Sequence, residues 1–149
     1  MECVFCKIAK GEIDVNVVYK DEVLTCFLDY EPINEGHVLI IPNSHYLDAD
    51  ELPDDVAVAI MKLSIRLVSI LKGKYHPEGY SIMQNGGRFD DVGHYHMHVF
   101  PRYTGDGFGW TYSDEQHSAT ESIARSLREI LIGSGLDSAE RSEGGMPFA

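Results

Sequence analysis

At 149 residues the chain has the length of one domain, and 44% apolar against 24% charged residues exclude a disordered chain in spite of a net charge of −12. That charge excludes non-specific attraction to nucleic acid or to an anionic membrane, which requires a surplus of Lys and Arg facing phosphate. No stretch approaches the roughly 18 consecutive apolar residues of a membrane span, and Glu2 and Cys3 do not begin a basic leader, so the expected location is cytoplasmic, with no membrane or nucleic-acid partner.

Cys3-Val-Phe-Cys6 opens the chain, and Cys-x-x-Cys in this setting points to metal or redox chemistry, or to a plain N-terminal turn. Redox is the weakest of these, because no βαβ context surrounds the pair. Val17 to Tyr19 and Val23 to Leu28 are strand-like runs joined by Lys20-Asp21-Glu22 as a hairpin, with Cys26 alternating with Leu24 and Leu28 as a small buried hydrophobe. A Pro, Asn and Gly-containing loop from Tyr30 to Gly36 leads to a buried strand, His37 to Ile41, closed by Pro42. From Asp54 or Asp55 to about Lys72 the spacing is helical, with Val56, Ile60, Leu63, Leu67, Ile70 and Leu71 on one face and Gly73 as C-cap. Val58, Met61, Ile65 and Val68 lie outside that stripe, and a helix apolar nearly all round packs on two layers, which predicts a homodimer. Tyr80 to Gln84 is a fourth strand, Asn85-Gly86-Gly87 a turn, and His94 to Phe100 a fifth strand ended by Pro101. Ser118 to Leu131 is a second helix with Ile123, Leu127, Ile130 and Leu131 on one stripe. The expected fold is α+β, an antiparallel sheet of about five strands with two main helices. Residues 1–133 form one domain in this reading, and 134–149 a poorly ordered tail.

His94-Tyr95-His96-Met97-His98 is the strongest chemical signal. Side chains alternate across a strand, so the three imidazoles share one face while Tyr95, Met97 and Val99 take the other. Three titratable rings on one patch suit acid–base or nucleophilic work. Alternate histidines also ligate metals in β-barrel enzymes, but that architecture needs more strands and a carboxylate pattern absent from this strand.

The chain resembles the histidine triad (HIT) family over roughly residues 3 to 110. The resemblance rests on Cys3-Val-Phe-Cys6, Phe27-Leu28-Asp29, Gly36-His37-Val-Leu-Ile-Ile-Pro42, Ser44-His45, Asn85-Gly86 and His94-Tyr-His-Met-His-Val-Phe-Pro-Arg102. It implies a nucleotide hydrolase or nucleotidyl transferase that attacks the α-phosphate of a nucleoside phosphoramidate, adenylate or dinucleoside polyphosphate, with a purine nucleotide as substrate and no organic cofactor. It further implies that His96 is the nucleophile, held in one tautomer by a backbone carbonyl that matches His37, and that His98 assists the leaving group. Asp29 matches the ribose-binding carboxylate, and Asn85 with the Gly86-Gly87 turn the phosphate contacts. Cys3, Cys6, His45 and His94 match a structural zinc site of bacterial-type relatives. One departure stands out: where most members carry an Ala-Gly-Gln-type stretch, this chain has Arg88-Phe89-Asp90-Asp91-Val92-Gly93. Two carboxylates near a phosphate cost Coulomb energy unless turned away or bridged by a cation, with Arg88 and Arg102 as candidate compensators. The competing reading is a non-catalytic nucleotide-binding or scaffold protein of the same fold, which fold alone does not separate from an enzyme.

Overall fold

A computed structural model describes residues 2–135. Its first element, helix α1 (Val4–Lys10), is one the sequence reading did not anticipate. Phe5, Ile8 and Ala9 recur at helical spacing and are buried, and Gly11 ends the helix at φ 77, where glycine meets no Cβ penalty. Strands β1 (Val17–Lys20) and β2 (Leu24–Leu28) form the expected hairpin, with Asp21 Oδ1 accepting the amides of Val23 and Leu24 at 2.8 and 2.7 Å. Strand β3 (Val38–Pro42) follows, then helix α2 (Asp54–Tyr75), β4 (Gly79–Met83), β5 (Met97–Arg102) and helix α3 (Glu121–Gly133). Helix α2 runs past Gly73, the expected cap, and ends at His76 in the left-handed region. A glycine in a final turn that still has good neighbours on both sides does not stop a helix; the loss costs only about 1 kcal/mol.

The five strands lie in the order β1-β2-β3-β5-β4, every neighbour antiparallel. Alternation divides the core in two. Leu24, Cys26, Val38, Ile40, Met97 and Val99 face α2 and pack on its Val56, Ile60, Leu67 and Leu71. Phe27, Leu39 and Ile41 face the other way, onto Phe5, Ile8 and Ala9 of α1. Within α2, Ile70 was expected on the core face but is exposed, while Val68, expected outside it, packs against the core. Val58, Met61 and Ile65 lie off the core face, as expected, and are exposed. Cys26 lies in the core, where burial pushes its thiol up to about 12, so it is inert.

The loop before β3 is fastened to α2 at Gly36. Its φ is +89°, and a Cβ there would fall 2.6 Å from the Tyr75 ring and 3.1 Å from Leu71, so no other residue fits.

The chain divides into two compact units, Met1–Gly109 and Trp110–Ala149, and the boundary expected at 133 lies inside the second. In that unit Thr120 caps α3 by accepting the Ile123 amide, and Ile123, Leu127, Ile130 and Leu131 are exposed. The expected tail, 134–149, falls almost wholly outside the described residues. Among the described residues no helix is long and apolar enough to cross a membrane.

Candidate active site

The triad straddles the start of a strand. β5 begins at Met97, so only His98 pairs within the sheet, opposite Leu39, while His94 to His96 form the extended lead-in. This corrects the expected strand from His94. The lead-in is held by other bonds: the Tyr95 amide donates to the Tyr46 carbonyl at 2.7 Å, and Nε2 of His94 lies 3.0 Å from the Pro42 carbonyl. Alternation survives nonetheless. Tyr95, Met97 and Val99 join the α2 side of the core, and the three imidazoles take the α1 side, where Phe5 meets His94 and His96 edge-on at 5.9 and 5.3 Å.

Each imidazole is fixed by a different partner. Nδ1 of His96 is 2.8 Å from the carbonyl of His94, which accepts only, so Nδ1 carries the ring proton and Nε2 presents a lone pair. The predicted holder, the His37 carbonyl, instead accepts the Asp29 amide at 3.0 Å. A carbonyl two residues back along an extended chain reaches the ring more directly than one on the neighbouring strand. His37 contributes its side chain. Its Nδ1 accepts the Ile33 amide at 3.0 Å, which leaves Nε2–H to donate to Nδ1 of His98 at 2.9 Å. Neutral His98 therefore keeps its own proton on Nε2. Burial holds His37 down to about 4, with Asp29 opposing and His98 adding to that depression, so it stays neutral near pH 7. Asp29 Oδ2 stands 3.4 Å from Nε2 of His37 and 3.6 Å from Nδ1 of His98. Burial would raise the Asp29 carboxyl, but the His98 ring, the Glu31 amide and His37 together hold it below the ordinary range.

At the other end of the triad, Cys3, Cys6, His45 and His94 converge, as the sequence reading expected. Cys3 Sγ is 3.3 Å from Nδ1 of His94, and Cys6 Sγ is 3.4 Å from Nδ1 of His45 and 3.6 Å from Nδ1 of His94. Ligands 2.0 to 2.3 Å from a common tetrahedral zinc lie about 3.5 Å apart, so the donor set suits that ion. The Pro42 carbonyl fixes the His94 proton on Nε2 and leaves Nδ1 deprotonated toward the sulfurs, the arrangement a metal-binding imidazole needs.

Asp90 and Asp91 have opposite fates. The Asp90 side chain is 4% exposed; its Oδ1 accepts the amides of Val92 and Gly93 at 2.9 and 3.0 Å and lies 3.8 Å from Nδ1 of His96. Its Oδ2 is buried with no hydrogen-bond partner among the described residues. Asp91 is 88% exposed, with Oδ1 3.8 Å from Nε2 of His96. A cleft of about 430 Å³ opens beside His96 and His98, floored by Phe5, Ile8, Phe27 and Leu39. Asp14, Asp29, Glu31 and Asp91 line it, and among the described residues no Lys or Arg does.

The residues expected at the phosphate are engaged outside this lining. Asn85, Gly86 and Gly87 do not line the cleft, and the Gly87 amide, expected in an anion nest, donates to Asp48 at 2.7 Å. Asp48 sits so close that a Cβ on Gly86 would fall 2.6 Å from its Oδ1. Arg102 offers no compensating charge either. It pairs in bidentate fashion with Asp106, Nε to Oδ2 at 2.6 Å and Nη2 to Oδ1 at 3.1 Å, and so organises the Tyr103–Phe108 turn. Arg88 is exposed in the short 3-10 turn at Gly87–Phe89.

The sequence model of the HIT domain matches residues 10–105. The chain belongs to the HIT family. Among similar HIT proteins, an uncharacterized one from Methanocaldococcus jannaschii is 47% identical over 107 residues, covering 70% of this chain and 82% of that protein. The adenosine 5'-monophosphoramidase of Candida albicans is 36% identical over 138 residues, covering 87% and 91%. Of solved structures, a HIT family protein from Bacillus anthracis has a TM-score of 0.81 at 31% identity, covering 89% of this chain and 96% of its own. A zinc-bound histidine triad protein from Mycobacterium smegmatis has 0.68 at 32%, covering 93% and 98%.

Two residues that shape this HIT site, Phe5 and Asp48, escaped the sequence reading, and His37, expected to act through its carbonyl, forms the relay through its side chain. Phe5 had a signal, since Phe5, Ile8 and Ala9 at helical spacing before Gly11 mark a short amphipathic helix. Asp48 and the relay had none, because both depend on contacts between segments remote in sequence.

Proposed function

We propose that this HIT protein is a nucleotide hydrolase or nucleotidyl transferase that attacks the α-phosphate of a nucleoside phosphoramidate, adenylate or dinucleoside polyphosphate with His96. The observation that carries the reading is the bond from Nδ1 of His96 to the His94 carbonyl, which leaves Nε2 as a lone pair beside an open cleft. Attack forms a bond from Nε2 to phosphorus and breaks the bond to the leaving group, which departs with the electron pair and takes a proton from the imidazolium form of His98. Asp29 lies within reach of either N–H when His98 is protonated. Water then attacks phosphorus, its proton returns to His98, and the pair that bound phosphorus returns to His96. The name of the Candida albicans relative supports phosphoramidate chemistry. Asp29 doubles as the acceptor for ribose hydroxyls at the cleft edge. A quenched reaction analysed by mass spectrometry tests the mechanism: a nucleotide-mass adduct on His96 supports it, and undiminished hydrolysis by His96→Ala refutes it.

Cys3, Cys6, His45 and His94 would hold one structural zinc, with all four positions filled by protein and none left for water. Bound there, the ion anchors the helix carrying Phe5 to the lead-in of the triad. The exposed Val58, Met61 and Ile65 support a homodimer through α2, and a monomer mass by light scattering at micromolar concentration would oppose it.

A further inference from the structure

We propose that Asp91 determines the leaving group, so that this site takes nucleotide derivatives whose departing atom is a nitrogen that becomes cationic and rejects those whose departing group is an anion. The inference rests on the hydrolase reading above and goes beyond it to a residue and a charge preference. Phosphorus must enter between Nε2 of His96 and the open cleft, because Nδ1 is committed to the His94 carbonyl. Asp91 Oδ1 lies 3.8 Å from that same Nε2, so it faces the substituents of any phosphorus the histidine attacks. Asp91 is not a structural carboxylate. Asp90, its neighbour, is buried and spends one oxygen on two backbone amides, whereas Asp91 is 88% exposed and makes no such bonds among the described residues.

The surroundings carry the same preference. Asp14, Asp29, Glu31 and Asp91 line the cleft with no Lys or Arg among the described residues, so a leaving group that carries further negative charge finds no counter-charge there. The amides that could have cradled it are already used: those of Val92 and Gly93 by Asp90, and that of Gly87 by Asp48. An amine leaving group reverses the sign. His98 gives its proton to the bridging nitrogen, which becomes a cation bearing N–H groups; the P–N bond then breaks with its electron pair going to nitrogen, and a neutral amine leaves. Asp91 accepts an N–H from that nitrogen and attracts the positive charge that the proton from His98 places on it, a charge absent from the bound substrate and still partly present as the P–N bond breaks. Sulfate, or the nucleotide released from a dinucleoside polyphosphate, gains negative charge at the same moment and is repelled.

Purified full-length protein and its Asp91→Asn variant, assayed on an adenosine 5'-phosphoramidate of an alkylamine, adenylyl sulfate and diadenosine tetraphosphate, test the proposal. Asparagine keeps the shape, removes the charge and sits on the surface, so folding is not at issue. The wild type is expected to favour the amine substrate in kcat/KM by about 100-fold or more, and Asp91→Asn to lower the amine rate by roughly 10- to 100-fold while leaving or raising the rates on the two anions. A wild type that prefers an anionic substrate, or an amine-to-anion ratio untouched by Asp91→Asn, overturns the role of Asp91 and leaves the hydrolase reading intact. Absence of turnover and of a His96 adduct with all three substrates overturns the hydrolase reading, and this inference with it.

Discussion

His94 and His98 stand four residues apart on one face, yet in the proposed mechanism one end of the triad holds and the other transfers. His94 is fully buried, its Nε2 on the Pro42 carbonyl and its Nδ1 among two sulfurs and His45. His98 is partly open to the cleft, its Nδ1 on a neutral His37 and near Asp29. His96 between them borrows from both: a carbonyl from His94 orients it, and its ring lies 4.9 Å from that of His98. The lesson is that the residue type does not set the task. The partner of the second ring nitrogen does, by deciding whether the first is left as a lone pair or as an N–H.

The contrast predicts that damage at the two ends will read out differently, with the centre most severe. His96→Ala should lose at least about 10⁴-fold in turnover while nucleotide affinity changes little, because Asp29 and the apolar side chains that line the cleft are untouched; equilibrium binding beside single-turnover rates checks both halves. At the holding end, Cys3→Ser should abolish stoichiometric zinc and lower the thermal midpoint by roughly 10 °C, since a structural metal contributes folding free energy. Metal analysis with thermal unfolding checks this, and an unchanged midpoint would break the division of labour. At the transfer end, His37→Asn should slow turnover by about 10- to 100-fold, as loss of an outer partner commonly does, while zinc content stays put.

The smallest expected effect is on pH dependence. His37 titrates at about 4 in the folded chain and near 6.5 unfolded, so between those values the unfolded state binds the extra proton. The stability this adds is present in full above pH 6.5 and is lost as pH falls toward 4. Burial depresses His94 in the same direction, but both proteins share it, so His37→Asn should show a flatter decline than wild type in thermal unfolding from pH 7 to 4.

The shared face of the triad was legible because period two needs only an extended chain, and it held even where His94 and His96 lie outside the sheet. The Cys3, Cys6, His45 and His94 set was legible through family resemblance and came together as expected. What stayed hidden has a common cause. The tautomers depend on the carbonyls of Pro42 and His94 and the amide of Ile33, and local sequence does not say which backbone group approaches a ring. The Asn85-Gly86-Gly87 turn was placed at the phosphate by motif alone, whereas Asp48, 39 residues away from Gly87, occupies its amide. Helix α1 spans only 7 residues, too short for its pattern to compete with a loop reading.

Gly36 carries a consequence for how the sequence can drift. Its positive φ and the Tyr75 ring 2.6 Å from any added Cβ oppose substitution separately, one through the backbone and one through space. Shrinking Tyr75 first removes only the spatial obstacle and opens a cavity against the end of α2. Changing Gly36 first drives a side chain into that ring, one residue from His37. Either order passes through an impaired protein, and the two costs are not additive: residue 75 sets how much a change in the histidine loop costs without ever touching a substrate.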